Sequence, residues 1–256
     1  MNRRNIARLA VAATLLGVVI NVSAASAQGM GINHATLVEP NAKTAEVSTE
    51  QMRGIVRDGS VIILDTRSRA EYVAGHIPSA RTIDAPQAGQ VAAVQKLVGG
   101  DKSKALVLYC NGPYCQASRR LADQLVEAGF RNVRRYQLGI PVWRALGGPT
   151  EVELDGIKRI FKLDQTAVYL DARSAAEFAK GSLRGAHSVP ADGLAGGGLK
   201  KAPLPEDDFN RRIILFGKDA AEARQLADAM RERPWHNVAY YPGTFESLAA
   251  AIKDIE

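Results

Sequence analysis

The second half of this chain restates the first at a nearly fixed offset, and that limits the fold more than any other feature. VIILDTRSRAEYVAGHIPSA, from Val61, is echoed by AVYLDARSAAEFAKGSLRGA, from Ala167, so that Asp65, Arg67 and Glu71 fall opposite Asp171, Arg173 and Glu177. ALVLYC, ending at Cys110, is echoed by RIILFG, ending at Gly217, and Asn132-Val133 is echoed by Asn237-Val238. These offsets are 106, 107 and 105 residues. Solenoid units recur every 20–50 residues or so. One recurrence at this longer spacing means two like domains in tandem. The expected bounds are 46–149 and 152–256, joined within GGPTEVELDG (Gly147 to Gly156), with 28–45 an aperiodic N-terminal arm.

Each copy alternates short apolar runs with helical patterns. VIILD is continuous and rich in β-branched residues, as is expected of a strand buried on both faces of a parallel sheet. Ahead of it, Ser48 or Thr49 can cap a helix carrying Ile55 and Val56 and closed by Gly59. A run from Gln87 to Leu97 reads as a helix, then ALVLY as a strand. The helix after it places Leu121, Leu125 and Val126 on one face. The fold class is therefore α/β, with two tandem domains, each a parallel sheet flanked by helices. In the second copy GLAGGGLKKAPLPEDD reads as an exposed loop.

The only two cysteines, Cys110 and Cys115, stand in the loop CNGPYC between that strand and helix. A thiol at a helix N-terminus sees backbone N–H groups and the positive end of the helix dipole, which lower thiol pKa and attract anions. A structural disulfide or a buried thiol satisfies the same residues. The repeat favours chemistry, because the second copy has Gly217 at the cysteine position and so folds without it.

Composition matters mainly for compartment and partners. Residues 1–27 have a basic start (Arg3, Arg4, Arg8), an apolar stretch from Leu9 to Ile20, and Ala25-Ser26-Ala27, the pattern of a signal peptide cleaved before Gln28. The apolar stretch is short of the roughly 20 residues that a spanning helix needs, so no stable membrane insertion is expected after cleavage. The expected location is periplasmic or secreted, where a disulfide is permitted. Losing three arginines takes the formal charge from +6 to +3, and no basic run interleaves with aromatics, so nucleic acid is not an expected partner. No metal or cofactor is expected, since His34 stands without clustered ligands.

On these residues the chain resembles the rhodanese family. DTRSRAEYVAGHIPSA carries that family's entry motif at Asp65, Arg67, Glu71, Tyr72, Gly75, His76, Ile77 and Ala80; Cys110 ends the strand that opens the active loop; and LGIPVW supplies the later glycine and tryptophan, Gly139 and Trp143. The resemblance implies thiosulfate sulfurtransferase chemistry. The Cys110 thiolate would take sulfane sulfur from a small anionic donor and hold it as a persulfide for a thiol, cyanide or protein acceptor. The loop would cradle the anion with N–H groups of Asn111, Gly112, Tyr114, Cys115 and Gln116.

There are departures from the family. Pro113 removes one N–H, the loop is longer than the common form, and the usual loop arginine is missing, with Arg119 and Arg120 as substitutes. Gln116 stands where a related phosphatase class needs arginine, which argues against phosphate-ester hydrolysis. Cys115 is a possible second thiol, able to resolve the persulfide, to bond Cys110, or only to pack beneath the loop. The family pattern gives His76, Asp65 and Arg67 structural roles, and Trp143 and Tyr136 read as core or pocket wall. The second copy, with Gly217 for the cysteine and Ser182 for His76, is expected to pack against the first and wall a cleft. Two other readings remain: a redox protein switching a Cys110–Cys115 disulfide, and a non-catalytic binding module.

Overall fold

The computed structural model describes residues 31–253; the signal segment expected over residues 1–27 lies outside them. Among the described residues no helix is long and apolar enough to cross a membrane, and no cluster of three or more ligand-type side chains could hold a metal.

In chain order the first domain comprises β1 (Ala45–Glu46), α1 (Thr49–Asp58), β2 (Ile62–Asp65), α2 (Arg69–Ala74), β3 (Arg81–Thr82), α3 (Gln90–Leu97), β4 (Leu106–Tyr109), α4 (Ala117–Glu127), β5 (Val133–Tyr136) and α5 (Gly139–Ala145). Its strands form one sheet in the order β1-β5-β4-β2-β3, every pair parallel. All four residues of β4 are fully buried. Val107 and Tyr109 join Met52, Tyr136 and Trp143 on the α1 and α5 side, while Leu106 and Leu108 join Val94, Leu121 and Leu125 under α3 and α4. The apolar run therefore marks a central strand covered by helices on both faces.

The second domain repeats the plan with β6 (Thr150–Glu151), α6 (Leu154–Leu163), β7 (Val168–Asp171), α7 (Ala175–Ala179), β8 (Ala186–Ser188), β9 (Ile213–Phe216), α8 (Ala220–Ala229), β10 (Val238–Tyr240) and α9 (Phe245–Lys253). Its sheet is also parallel, in the order β6-β10-β9-β7-β8. Thr150 and Glu151, just ahead of the expected domain start, already belong to it.

Sequence explains the helix starts. Ser48 accepts a hydrogen bond from the Gln51 N–H while the Gln51 side chain accepts from the Ser48 N–H, a capping box that satisfies two free donors at once. Thr49, the other candidate cap, lies inside α1 and bonds the Tyr136 hydroxyl instead. The same box recurs as Ser68 with Glu71 and Ser174 with Glu177, which gives these repeated glutamates a local role. The Gln87–Leu97 helix is split, with a 3-10 turn over Gln87–Gly89 ahead of α3.

Two expectations need correction. The second-copy insertion is not simply an exposed loop: Ala191–Gly196 and Gly198–Lys201 form 3-10 turns, Leu199 is buried, and Leu194 and Leu204 pack on the core. Apolar residues spaced among the glycines anchor it. Nor does the aperiodic arm hang free over its described residues. Glu46 accepts hydrogen bonds from the Leu37 and Glu39 N–H groups, and the Glu39 carboxylate accepts from Arg135 (2.7 Å) and Gln137 (2.9 Å), both buried.

The domains meet through β6. Glu151 and His76 exchange both backbone hydrogen bonds (2.9 and 2.8 Å), and the Glu151 carboxylate accepts from the Ser79 N–H and the Tyr240 hydroxyl. His76 Nε2 lies 3.3 Å from the same carboxylate, its Nδ1 lies 3.0 Å from the Tyr72 carbonyl, and its ring stacks on Tyr72. Both ring nitrogens thus face acceptors, so His76 serves the interface, in keeping with a structural role. Gly156 fits here because a Cβ would collide with the Val73 carbonyl, an approach only glycine permits.

Candidate active site

The site lies at the C-terminal end of β4, where the chain must leave the sheet. Cys110 follows Tyr109 directly and is 3% exposed, with its carbonyl accepting from the Ile140 N–H. Residues 110–116 form the loop before α4. Cys110 thus stands at the strand end, as expected from the sequence, while Cys115 and not Cys110 stands close to the α4 N-terminus, two residues before it. The two sulfurs form a disulfide, with Cα atoms 6.2 Å apart.

Loop shape is imposed from three sides. Gly112 has φ +98°, and the Cys115 N–H donates to its carbonyl to close a tight turn. Asn111 donates to Glu71 on α2 (2.5 Å), and Gln137 donates to the Pro113 carbonyl (2.8 Å). From below comes Gly139, at φ +66°; a Cβ there would collide with the Cys110 carbonyl and the Gly112 nitrogen and lie 2.8 Å from the Gly112 Cα. The glycine of the LGIPVW motif is needed for this contact, and Trp143, one turn on in α5, is core, donating to the Pro149 carbonyl.

With that support the loop leaves donors free. Among the described residues the N–H groups of Asn111, Gly112, Tyr114 and Gln116 engage no protein acceptor. Such a run of unengaged N–H groups suits an anion. Tyr114 itself is 96% exposed at the loop tip. Arg119 is committed elsewhere: its Nη2 donates to the Pro40 carbonyl, and its Nη1 lies 3.8 Å from Glu39. The arm, not the loop, holds the cation that sequence reasoning offered as substitute for the missing loop arginine. Gln137, which no motif singled out, bonds Glu39 and Pro113 with one amide and so couples arm to loop.

Behind the loop, Asp65 accepts from Arg67 (2.6 Å) and from the Tyr109 hydroxyl (2.5 Å), while Arg67 also donates to the Gly75 carbonyl (2.8 Å). Burial and the Asp65 carboxylate push the Tyr109 phenol well above its ordinary range, so it remains a donor. Glu71 lies below the ordinary carboxylate range: partial burial pulls it up, but hydrogen bonds from Ser68 and Asn111 outweigh that. It therefore stays an acceptor for the loop at neutral pH.

The second copy shows the same strand end closed. Only 217–219 separate β9 from α8. Glu222 accepts from the Lys218 N–H (2.7 Å) and a Cβ on Gly217 would lie 2.9 Å from that carboxylate, while Asp219 caps α8 by accepting from the Glu222 N–H. The domain's own carboxylates thus take two of the N–H groups at this shortened turn, those of Lys218 and Glu222, and a Cβ at Gly217 would press on the Glu222 carboxylate and the Ala223 nitrogen. Its share in the site is lateral: Arg159, Ile160, Leu163 and Arg212 face Glu71 and Ala74 across a groove of about 390 Å³. The loop-holding Glu71 is thus a wall of an interdomain groove.

Comparison with known proteins finds the Rhodanese-like domain family matching residues 48–146 and 157–251. An HTH-type transcriptional regulator of Mycobacterium tuberculosis is 36% identical over 93 residues, covering 36% of this chain and 38% of the regulator. Among solved structures, a thiosulfate sulfurtransferase from Pseudomonas aeruginosa is 18% identical, covering 78% of this chain and 42% of that one, with a TM-score of 0.36. A Rhodanese_3 like domain from Anabaena sp is 32% identical, covering 36% of this chain and 99% of that one, with a TM-score of 0.32. The chain thus spans well under half of the regulator and of the sulfurtransferase.

Proposed function

The chain belongs to the rhodanese-like domain family through both of its halves, and from that premise we propose that it is a sulfurtransferase whose first domain carries the chemistry. Once the disulfide is reduced, the Cys110 thiolate attacks the sulfane sulfur of thiosulfate or a similar donor. The donor's S–S bond breaks, sulfite leaves with the bonding pair, and the sulfur stays on Cys110 as a persulfide. A thiol, cyanide or protein acceptor then takes it. The carrying observation is the pairing of Cys110 with unengaged N–H groups in a seven-residue loop of one domain, against a three-residue, cysteine-free connection in the other.

We place the protein outside the cytoplasm, in a periplasm or secreted, on the signal-like pattern of residues 1–27. The test of the function is intact mass after reduction and desalting, with and without thiosulfate. A gain of one sulfur, with one sulfite released, is expected in Cys115→Ser and absent in Cys110→Ser; sulfur uptake in Cys110→Ser would sink the reading.

A second reading has the disulfide in its favour: a thiol redox protein in which Cys110 and Cys115 exchange electrons with partner thiols. It predicts an activity that needs both cysteines and no sulfur uptake by Cys115→Ser.

A further inference from the structure

The two cysteines fit a reaction beyond handing sulfur to an external acceptor. Their Cα separation of 6.2 Å lies inside the roughly 4.4–6.8 Å that disulfides span. The loop that sets this separation is held by Glu71, Gln137 and Gly139. Their exposures differ. Cys110 is buried, whereas Cys115 is partly exposed, next to the protruding Tyr114 and just ahead of α4.

We propose that Cys115 resolves the Cys110 persulfide and releases the sulfur as sulfide, which makes the protein a thiosulfate-reducing enzyme driven by a dithiol. This rests on the persulfide reading above. The Cys115 sulfur attacks the Cys110 Sγ, the inner sulfur of the persulfide. A Cys110–Cys115 bond forms and the Cys110 Sγ–sulfur bond breaks. The outer sulfur leaves with that electron pair, takes the Cys115 thiol proton and departs as hydrosulfide. Two thiols are oxidised to one disulfide as one sulfane sulfur is reduced to sulfide, so atoms and electrons balance. The disulfide in the structure is the product of this step.

The cycle then needs two electrons from a dithiol reductant, a protein of the dithiol oxidoreductase class. Exchange goes through the sulfur a nucleophile can reach, so the reductant attacks Cys115, forms a mixed disulfide there and leaves Cys110 as the thiolate. Its second thiol frees Cys115. Tyr114, fully exposed beside Cys115, offers that partner an aromatic contact.

The experiment is a single turnover of the full chain, reduced, desalted and mixed with thiosulfate without reductant, reading sulfite, sulfide and intact mass. Wild type is expected to release one sulfite and one sulfide per chain and to lose two hydrogens. Cys115→Ser is expected to release sulfite, keep the added sulfur and give no sulfide. Wild type that releases sulfite but keeps its sulfur overturns this inference and leaves the sulfurtransferase standing, as does sulfide from Cys115→Ser at the wild-type level. No sulfite from either chain overturns both.

Discussion

Ser182 Oγ donates a 2.7 Å hydrogen bond to the buried Asp171 carboxylate, taking over in the second domain what the Tyr109 hydroxyl does for Asp65 in the first. The exchange is reciprocal. Tyr109 has Phe216 as its counterpart, which lacks the hydroxyl, and Ser182 stands at the position of His76. Both domains keep the same arginine clamp, with 2.6 Å to the aspartate and 2.8 Å to a glycine carbonyl in each.

Ser182→Ala is therefore expected to destabilise the second domain by about 1.5–3 kcal/mol, the range for a hydrogen bond to a charged group. Adding Phe216→Tyr should recover much of that loss, since the new hydroxyl has Asp171 as its partner. Urea unfolding followed through Trp235, in a Trp143→Phe background, reads the second domain alone. A Phe216→Tyr that deepens the Ser182→Ala loss would count against the exchange.

Acid should loosen the domain junction. Burial tends to raise the Glu151 carboxyl, but hydrogen bonds from His76, Tyr240 and the Ser79 N–H hold it below its ordinary range. A carboxylate depressed in the folded state contributes stability above its unfolded pKa and loses it as pH falls through the folded value. Wild type should lose thermal stability over that acid window more steeply than Glu151→Gln. Parallel Tm–pH profiles for the two would refute this.

Gly139→Ala should damage the loop more than the sheet. Its φ of +66° disfavours a side chain, and the added carbon would press on the backbone of Cys110 and Gly112. We expect a stability loss of at least about 1–3 kcal/mol, the usual cost of such strain, together with slower Cys110–Cys115 disulfide formation. Reoxidation kinetics with a small disulfide oxidant measure the second effect. An unchanged rate would mean the loop does not lean on Gly139.

Glu39→Ala should free the arm. Arg135 is fully buried, and its Nε and Nη2 already lack partners, so removing its carboxylate leaves an uncompensated charge, at about 3–5 kcal/mol. Val38, at φ +52°, is a β-branched residue in the left-handed region and would relax once Glu39 lets go. Limited proteolysis should then cut near residues 35–44 faster than in wild type. Equal cutting would show that the arm is held by other contacts, such as the Lys43–Glu127 ion pair.

Much of this architecture could be read from the chain. The repeat, the parallel sheets and Cys110 at a strand end follow from apolar runs and offsets, because the forces that make a buried central strand act on neighbours in sequence. The capping boxes are also legible as Ser-x-x-Glu, at Ser68 and Ser174. What is not legible in the sequence depends on distant partners. Glu39 has no local reason to be held, since Arg135 and Gln137 come to it from the end of β5. Glu222 closing the second loop depends on a deletion whose effect shows only when α8 starts early. The Cys110–Cys115 bond was one of three readings of the same spacing, and only the loop backbone distinguishes them.

The duplicated clamp gives this molecule an internal control. Asp65 with Arg67 and Asp171 with Arg173 share geometry, yet only one pair sits behind a cysteine-bearing loop. A change made at one clamp and then at its twin, in the same chain and buffer, separates what the clamp does for folding from what it does for a thiol. The difference between the two is a measure of the clamp's support for the proposed thiol chemistry with stability already subtracted, something a single-domain protein cannot supply from within itself.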